Sequence, residues 1–153
     1  MTVTVHPFAP ADAAAFRDLN LAWITDAFGS VEASDAYFLA HPDEAVLSQG
    51  GCILMASADE QPVGTVTILP REDGRMELCK MAVRDGYRGR GIGKALMSAA
   101  ESCARQLGGQ SIWLETSTRL GPAIALYRAS GFTESDAPGG CASRCNLQFT
   151  KAL

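Results

Sequence analysis

The sequence has little with which to hold a metal. His6 and His41 are its only histidines, and the cysteines are five: Cys52, Cys79, Cys103, Cys141 and Cys145. Cys141 and Cys145 stand close enough to suggest ligands, but no second cysteine pair completes a zinc site with them, so no metal is expected. Cys52, Cys79 and Cys103 lie in apolar segments and read as small core residues. Long apolar runs are also missing. No stretch approaches the ~20 residues that span a bilayer, so no membrane partner is expected. Residues 1–20 show no cationic segment followed by an apolar run, so no secretory leader is expected either. The expected compartment is the cytoplasm.

Basic charge is scarce in the first part of the chain. Residues 1–62 hold nine acids against one base, Arg17, a net of −8, whereas residues 63–153 hold twelve bases against eight acids, a net of +4. The basic charge peaks between Arg84 and Lys94, where Arg84, Arg88, Arg90 and Lys94 face only Asp85. A nucleic-acid surface would spread its charge over a wider area, so no nucleic-acid partner is expected, and the cluster suits one small anion. A chain of 153 residues, 47% hydrophobic, can build one core, and a single domain over 1–153 is expected.

Periodicity supplies the elements. Residues 2–6 alternate as a short strand, and 11–28 read as a helix carrying Phe16, Leu19, Trp23 and Phe28. A second helix over 33–41 is expected to stop near Pro42. Residues 52–57 and 62–70 read as a hairpin, and Asp73-Gly74 turns the chain into a fourth strand over 75–83. Ile92, Leu96, Ala99, Ala100, Cys103 and Leu107 make one helical stripe, ended by Gly108-Gly109. Residues 111–116 read as a fifth strand, 122–130 as a short helix closed by Gly131, and 132–135 and 144–150 as final strands. The order β-α-α-β-β-β-α-β-α-β-β predicts an α/β domain around a mixed sheet.

Between the fourth strand and the following helix lies Arg88-Gly89-Arg90-Gly91-Ile92-Gly93-Lys94. Glycines let backbone N–H groups approach an anion, and a helix start adds unpaired donors and a positive dipole end. Two common phosphate motifs fail here. A Walker A loop needs Ser or Thr after Gly-Lys, and the residue is Ala95. A Rossmann fingerprint would need glycine at Lys94 or at Leu96.

Arg88-x-x-Gly91-x-Gly93 resembles the signature Gln/Arg-x-x-Gly-x-Gly/Ala of the GNAT N-acetyltransferase superfamily, and residues 112–132 are similar to its second motif. The resemblance covers about residues 62–135. It implies a mixed sheet of six to seven strands flanked by about four helices, splayed between the fourth and fifth strands. It implies acetyl-CoA as co-substrate, with Met81, Ala82 and Val83 offering backbone to the pantetheine. Arg88, Gly89, Arg90, Gly91, Ile92, Gly93 and Lys94 would then hold the pyrophosphate. Many family members have asparagine where Leu120 stands, and leucine cannot make that polar contact, so no cofactor role falls to it.

The implied reaction moves an acetyl group to a primary amine by direct attack. An alkylamine is only about one part in a thousand neutral at pH 7, so a carboxylate must take its proton. Glu77 and Glu115 are the candidate bases, each a charge inside an apolar strand, and each also open to structural pairing with an arginine. The resemblance makes Tyr127 the acid that protonates the departing sulfur. Cys79 has no neighbouring histidine to activate it, and direct transfer needs no such nucleophile. The expected acceptor is a small-molecule amine. The alternatives are a peptide or protein amine, or a CoA-binding module without catalysis, and there is room for a homodimer. The acidic first 62 residues predict an acceptor with positive charge near its amine, whereas an anionic acceptor would point to arginines such as Arg119.

Overall fold

The computed structural model describes residues 1–136 and 144–153. Cys141 lies outside the described residues. The strands are β1 (Val3–Pro7), β2 (Cys52–Ala58), β3 (Gln61–Pro70), β4 (Arg75–Val83), β5 (Ser111–Thr116), β6 (Thr133–Glu134) and β7 (Leu147–Ala152). The helices are α1 (Ala13–Phe28), α2 (Ala33–Ala40), α3 (Pro42–Ala45), α4 (Ile92–Gln106) and α5 (Gly121–Ala129). Pro42 does end α2, but it also opens the one-turn α3, because a missing N–H costs nothing in a first turn. The last strand runs over Leu147–Ala152 instead of 144–150, and Asn146 just before it holds Thr118 with its side chain.

The seven strands form one sheet in the order β1-β2-β3-β4-β5-β7-β6. β2 and β3 meet in a tight hairpin whose turn residues Asp59 and Glu60 both take positive φ, 49° and 70°. That turn matches the twist of the flanking strands. β4 and β5 run parallel, which requires a crossover, and α4 supplies it. Their pairing is short. Arg75, Met76 and Glu77 pair with Ser111, Ile112 and Trp113, and the ladder then stops. Beyond it β4 continues on β3 and β5 continues on β7, so the two strands part as the family resemblance predicts.

The register of β3 on β4 shifts just past that point. Thr67 pairs with Cys79 and Thr65 with Ala82, so Lys80 and Met81 both face Val66. Such a bulge bends its strand and re-aims its groups. Lys80 takes φ 50° there, a left-handed backbone unusual for a lysine.

Each face of the sheet carries a core. Ile92, Leu96, Met97, Ala100 and Ala104 of α4 pack with Leu78, Ile112, Leu114, Tyr127 and Phe149. On the other face Phe16, Leu19 and Ile24 of α1 pack with Leu39, Ile53, Met55 and Ala82. The cysteines depart from expectation in one respect. Cys52 and Cys103 are joined in a disulfide between β2 and α4, which packs across β2, rather than standing as separate core thiols. Cys79 is a partly buried thiol against the α1-side core.

Leu96 is fully buried where α4 crosses the sheet. Leu96→Ala is expected to lower the unfolding free energy by about 2–5 kcal/mol, measured by urea denaturation.

Candidate active site

The parting of β4 from β5 opens a cavity of about 1100 Å³. Its walls include the end of α1, the free stretch of β4, the start of α4 and the face of α5 that carries Pro122, Ala123, Leu126 and Tyr127.

At one end lies the glycine loop. Gly89 and Gly91 take φ of 76° and 83°, which a side chain resists. A Cβ built on Gly91 would meet no protein atom within 4 Å, so its backbone angle, not crowding inside the protein, calls for glycine. Gly93 is different. Its Cβ would lie 3.0 Å from Leu126 Cδ2, so it lets α5 approach α4. The first α4 hydrogen bond runs from Ala95 N–H to Gly91 O, which leaves the N–H groups of Ile92, Gly93 and Lys94 outside the helix ladder. Arg88 and Lys94 line the cavity here, Arg88 in a loose 3.6 Å ion pair with Asp85. Arg90 does not line it. Its guanidinium lies 5.3 Å over the Tyr87 ring and reaches Met1 Sδ at 3.8 Å. Arg84 is likewise spent on Pro62 O at 3.0 Å. Two of the four clustered bases therefore face the cavity.

Met81, Ala82 and Val83 form the β4 wall. The bulge beneath them is anchored from α2, because Lys80 Nζ donates to Asp35 Oδ1 at 2.8 Å and sits 5.1 Å over Phe38. One hint of this tether is visible in the sequence, a lone lysine inside the apolar run Cys79-Lys80-Met81. Asp35 and Phe38, 45 and 42 positions earlier, carried none.

Glu77 and Glu115 come together on one face of the sheet. Glu77 pairs in register with Trp113, and Glu115 follows on the same side two residues later, roughly 7 Å along the strand. Glu77 Oε1 accepts from Arg71 Nε at 2.8 Å and from Nη2 at 2.5 Å. Both bonds fall on Oε1, and Oε2 has no protein partner among the described residues. Glu77 is thus paired with Arg71 and lines the cavity at the same time.

Tyr127 reaches the cavity from α5, with its ring about the same distance from Phe132 and Phe149, 6.1 and 6.0 Å. Burial pushes its phenol above the ordinary tyrosine value of about 10, and the Cys79 and Cys145 thiols add to the shift. The hydroxyl is therefore a protonated donor at neutral pH. Burial, and after it the Glu77 carboxylate, push the Cys79 thiol up to about 12. A thiol that is not ionised is a poor nucleophile, which agrees with a packing role for Cys79. Leu120 lines the cavity as an apolar contact just before α5.

The N-terminal acids contribute less charge than their number promises. Of the nine, Asp26, Glu32 and Asp35 line the cavity; Glu32 is bound by Arg144 at 3.2 Å and Asp35 by Lys80. Arg144 also donates to Ser30 O and Ser30 Oγ and, like Arg119, lies against the Phe28 ring. Among the described residues there is no cluster of three His, Cys, Asp or Glu side chains able to hold a metal. No described helix is long and apolar enough to cross a membrane.

The site fits coenzyme A. Positive-φ glycines whose Cβ positions face open space, unpaired helix N–H groups and two cations suit a pyrophosphate. The unpaired edge of β4 suits an extended arm that carries amides. Gly91→Val in a protein that remains folded by circular dichroism is expected to weaken CoA binding at least about tenfold by calorimetry. Unchanged affinity would place the phosphates elsewhere.

Comparison with known proteins agrees with this geometry. The family model described as acetyltransferase (GNAT) family matches residues 17–132. N-acetyltransferase 8B of Homo sapiens is 35% identical over 91 residues, 56% of this chain and 40% of that protein. This chain thus spans less than half the length of that relative. The uncharacterized N-acetyltransferase YjgM of Escherichia coli (strain K12) is 30% identical over 131 residues, 79% of this chain and 78% of that protein. The PaiA N-acetyltransferase of Thermoplasma acidophilum, solved in complex with coenzyme A, superposes with a TM-score of 0.78 at 18% identity, covering 100% of each chain.

Proposed function

The chain belongs to the GNAT acetyltransferase family, and from that premise we propose that it transfers the acetyl group of acetyl-CoA to the primary amine of a small molecule. The observation that carries this reading is the convergence of three groups on one cavity. They are the glycine loop, a protonated Tyr127, and the carboxylates of Glu77 and Glu115. The coenzyme A in the related PaiA structure supports the cofactor. A cavity walled on its α1 side by Phe28, Arg119 and Arg144 favours a small acceptor over a folded protein surface.

Acetyl-CoA supplies an acetyl group activated as a thioester. This chain's residues do the rest. Gly89, Gly91, Ile92, Gly93 and Lys94 bind the phosphate end through backbone, with Arg88 and the Lys94 ammonium adding charge. The edge of β4 from Met81 to Val83 orients the arm. Glu77 Oε2 or the Glu115 carboxylate accepts the proton that the amine must lose. Tyr127 Oη holds the proton that the leaving sulfur takes up. Because burial raises its pKa, that proton stays in place through the whole neutral range. Alkaline loss of activity through Tyr127 therefore begins only above about pH 10.

Tyr127→Phe keeps the ring packing and removes only the hydroxyl. It should lower kcat about 10²–10⁴-fold with CoA binding retained. Wild-type turnover would remove Tyr127 from the mechanism. Glu77→Gln and Glu115→Gln separate the two bases. The working base should show a fall of similar size and lose its acidic limb in the pH–rate profile, and the other should keep that limb.

A further inference from the structure

We infer that the acceptor amine carries a carboxylate, and that Arg119 binds it. The inference rests on the acetyl-transfer reading and names the substrate class of that same site.

The cations of the cavity sort into three groups. Arg88 and Lys94 belong to the glycine loop. Lys80 and Arg144 are neutralised by Asp35 and Glu32 at 2.8 and 3.2 Å. Arg119 remains. It has no carboxylate partner among the described residues, and its one side-chain hydrogen bond runs from Nη1 to Ala27 O at 3.4 Å. That contact leaves the Nε and Nη2 edge, the two-donor fork that matches a carboxylate. The guanidinium lies 5.9 Å over the Phe28 ring, which holds it against the α1 wall.

The backbone beneath Arg119 is fixed. Thr118 N–H donates to Asn146 Oδ1 at 3.0 Å, and Asn146 Nδ2 donates to Thr118 Oγ1 at 3.2 Å. Arg119 N–H donates to Ser117 Oγ at 3.2 Å, and Leu120 N–H to Ser117 O at 2.9 Å. The turn is thereby pinned, and the exposed Arg119 side chain extends from a fixed backbone toward the end of α1.

Its location assigns the ligand to the acceptor rather than to the cofactor. Arg119 touches Ala27 and Phe28 at the end of α1, whereas the glycine loop is anchored on Asp85, Tyr87 and Met1. The same cavity holds Glu77 and Glu115 for the amine. An acceptor with an ammonium and a carboxylate meets a partner for each. A purely cationic acceptor would find two of the three acids of the α1–α2 wall already paired.

The test compares the common amino acids with their own carboxamides as acceptors, in the wild type, Arg119→Gln and Arg119→Lys. At least one wild-type amino acid should exceed its carboxamide in kcat/KM by about tenfold or more. Arg119→Gln should bring that ratio close to one without moving the KM for acetyl-CoA, and Arg119→Lys should retain part of it. No acid preferred over its carboxamide would overturn the inference. So would an Arg119→Gln effect confined to the KM for acetyl-CoA, which would make the residue a cofactor contact. If no amine is acetylated at all, the transfer reading fails on its own. Calorimetry of N-acetylated amino acids against their carboxamides on CoA-saturated protein then decides about Arg119. Equal affinities in the wild type contradict the inference, and a preference for the acid that Arg119→Gln removes upholds it.

Discussion

The ladder between β4 and β5 ends after three residue pairs, and the site is built on what that ending exposes. A strand inside a sheet has a partner on either side. From Leu78 onward β4 keeps only β3, and from Leu114 onward β5 keeps only β7. Backbone donors and acceptors along the two inner edges are left facing a cavity. Such groups are costly to bury unpaired, and an extended molecule bearing amides can satisfy them as a further strand would. The bulge at Lys80 and Met81 bends β4 at this point, and a left-handed lysine is the local cost, offset by its ion pair to Asp35. Helix α2 is thereby tied to the strand that forms one wall of the cavity.

Charge is arranged to match. The glycine-loop end of the cavity holds Arg88 and Lys94, with Asp85 as the one acid paired there among the described residues. The sheet face holds two carboxylates about two residues apart, one of them steadied by Arg71 through a single oxygen. On the α1 side two of the three acids that line the cavity are paired with bases from later in the chain, Asp35 with Lys80 and Glu32 with Arg144. The two halves that differ so much in net charge are therefore bound together at the cavity. The difference stabilises the joint between α1–α2 and the sheet instead of creating a uniformly negative wall.

Most of the fold was legible from periodicity. The strands from β1 to β5 and both long helices fall within a few residues of where the sequence places them: α4 and β5 through one apolar face, β2 and β3 through apolar runs buried on both faces and bounded by turn residues. The glycine loop was legible because its spacing carries a mechanism. Other features depended on tertiary contacts. Arg90 looks equivalent to Arg88 in sequence, yet Tyr87 and Met1 draw it away. The disulfide joins residues 51 apart that match only once α4 lies across β2. The pairing of the N-terminal acids could not be read from a count of charges, since it depends on which of them reach the cavity. Arg119 was visible as a candidate, but its significance comes from the neutralisation of Lys80 and Arg144 around it.

Amide hydrogen exchange with and without CoA tests most directly whether the opened ladder is the cofactor site. CoA should slow exchange together in peptides covering 79–94 and 114–121, the two sides of the opening and the start of α4. Unchanged exchange over 79–94 with CoA bound, or protection confined to the outer strands β1 and β6, would contradict the placement of the cofactor between β4 and β5.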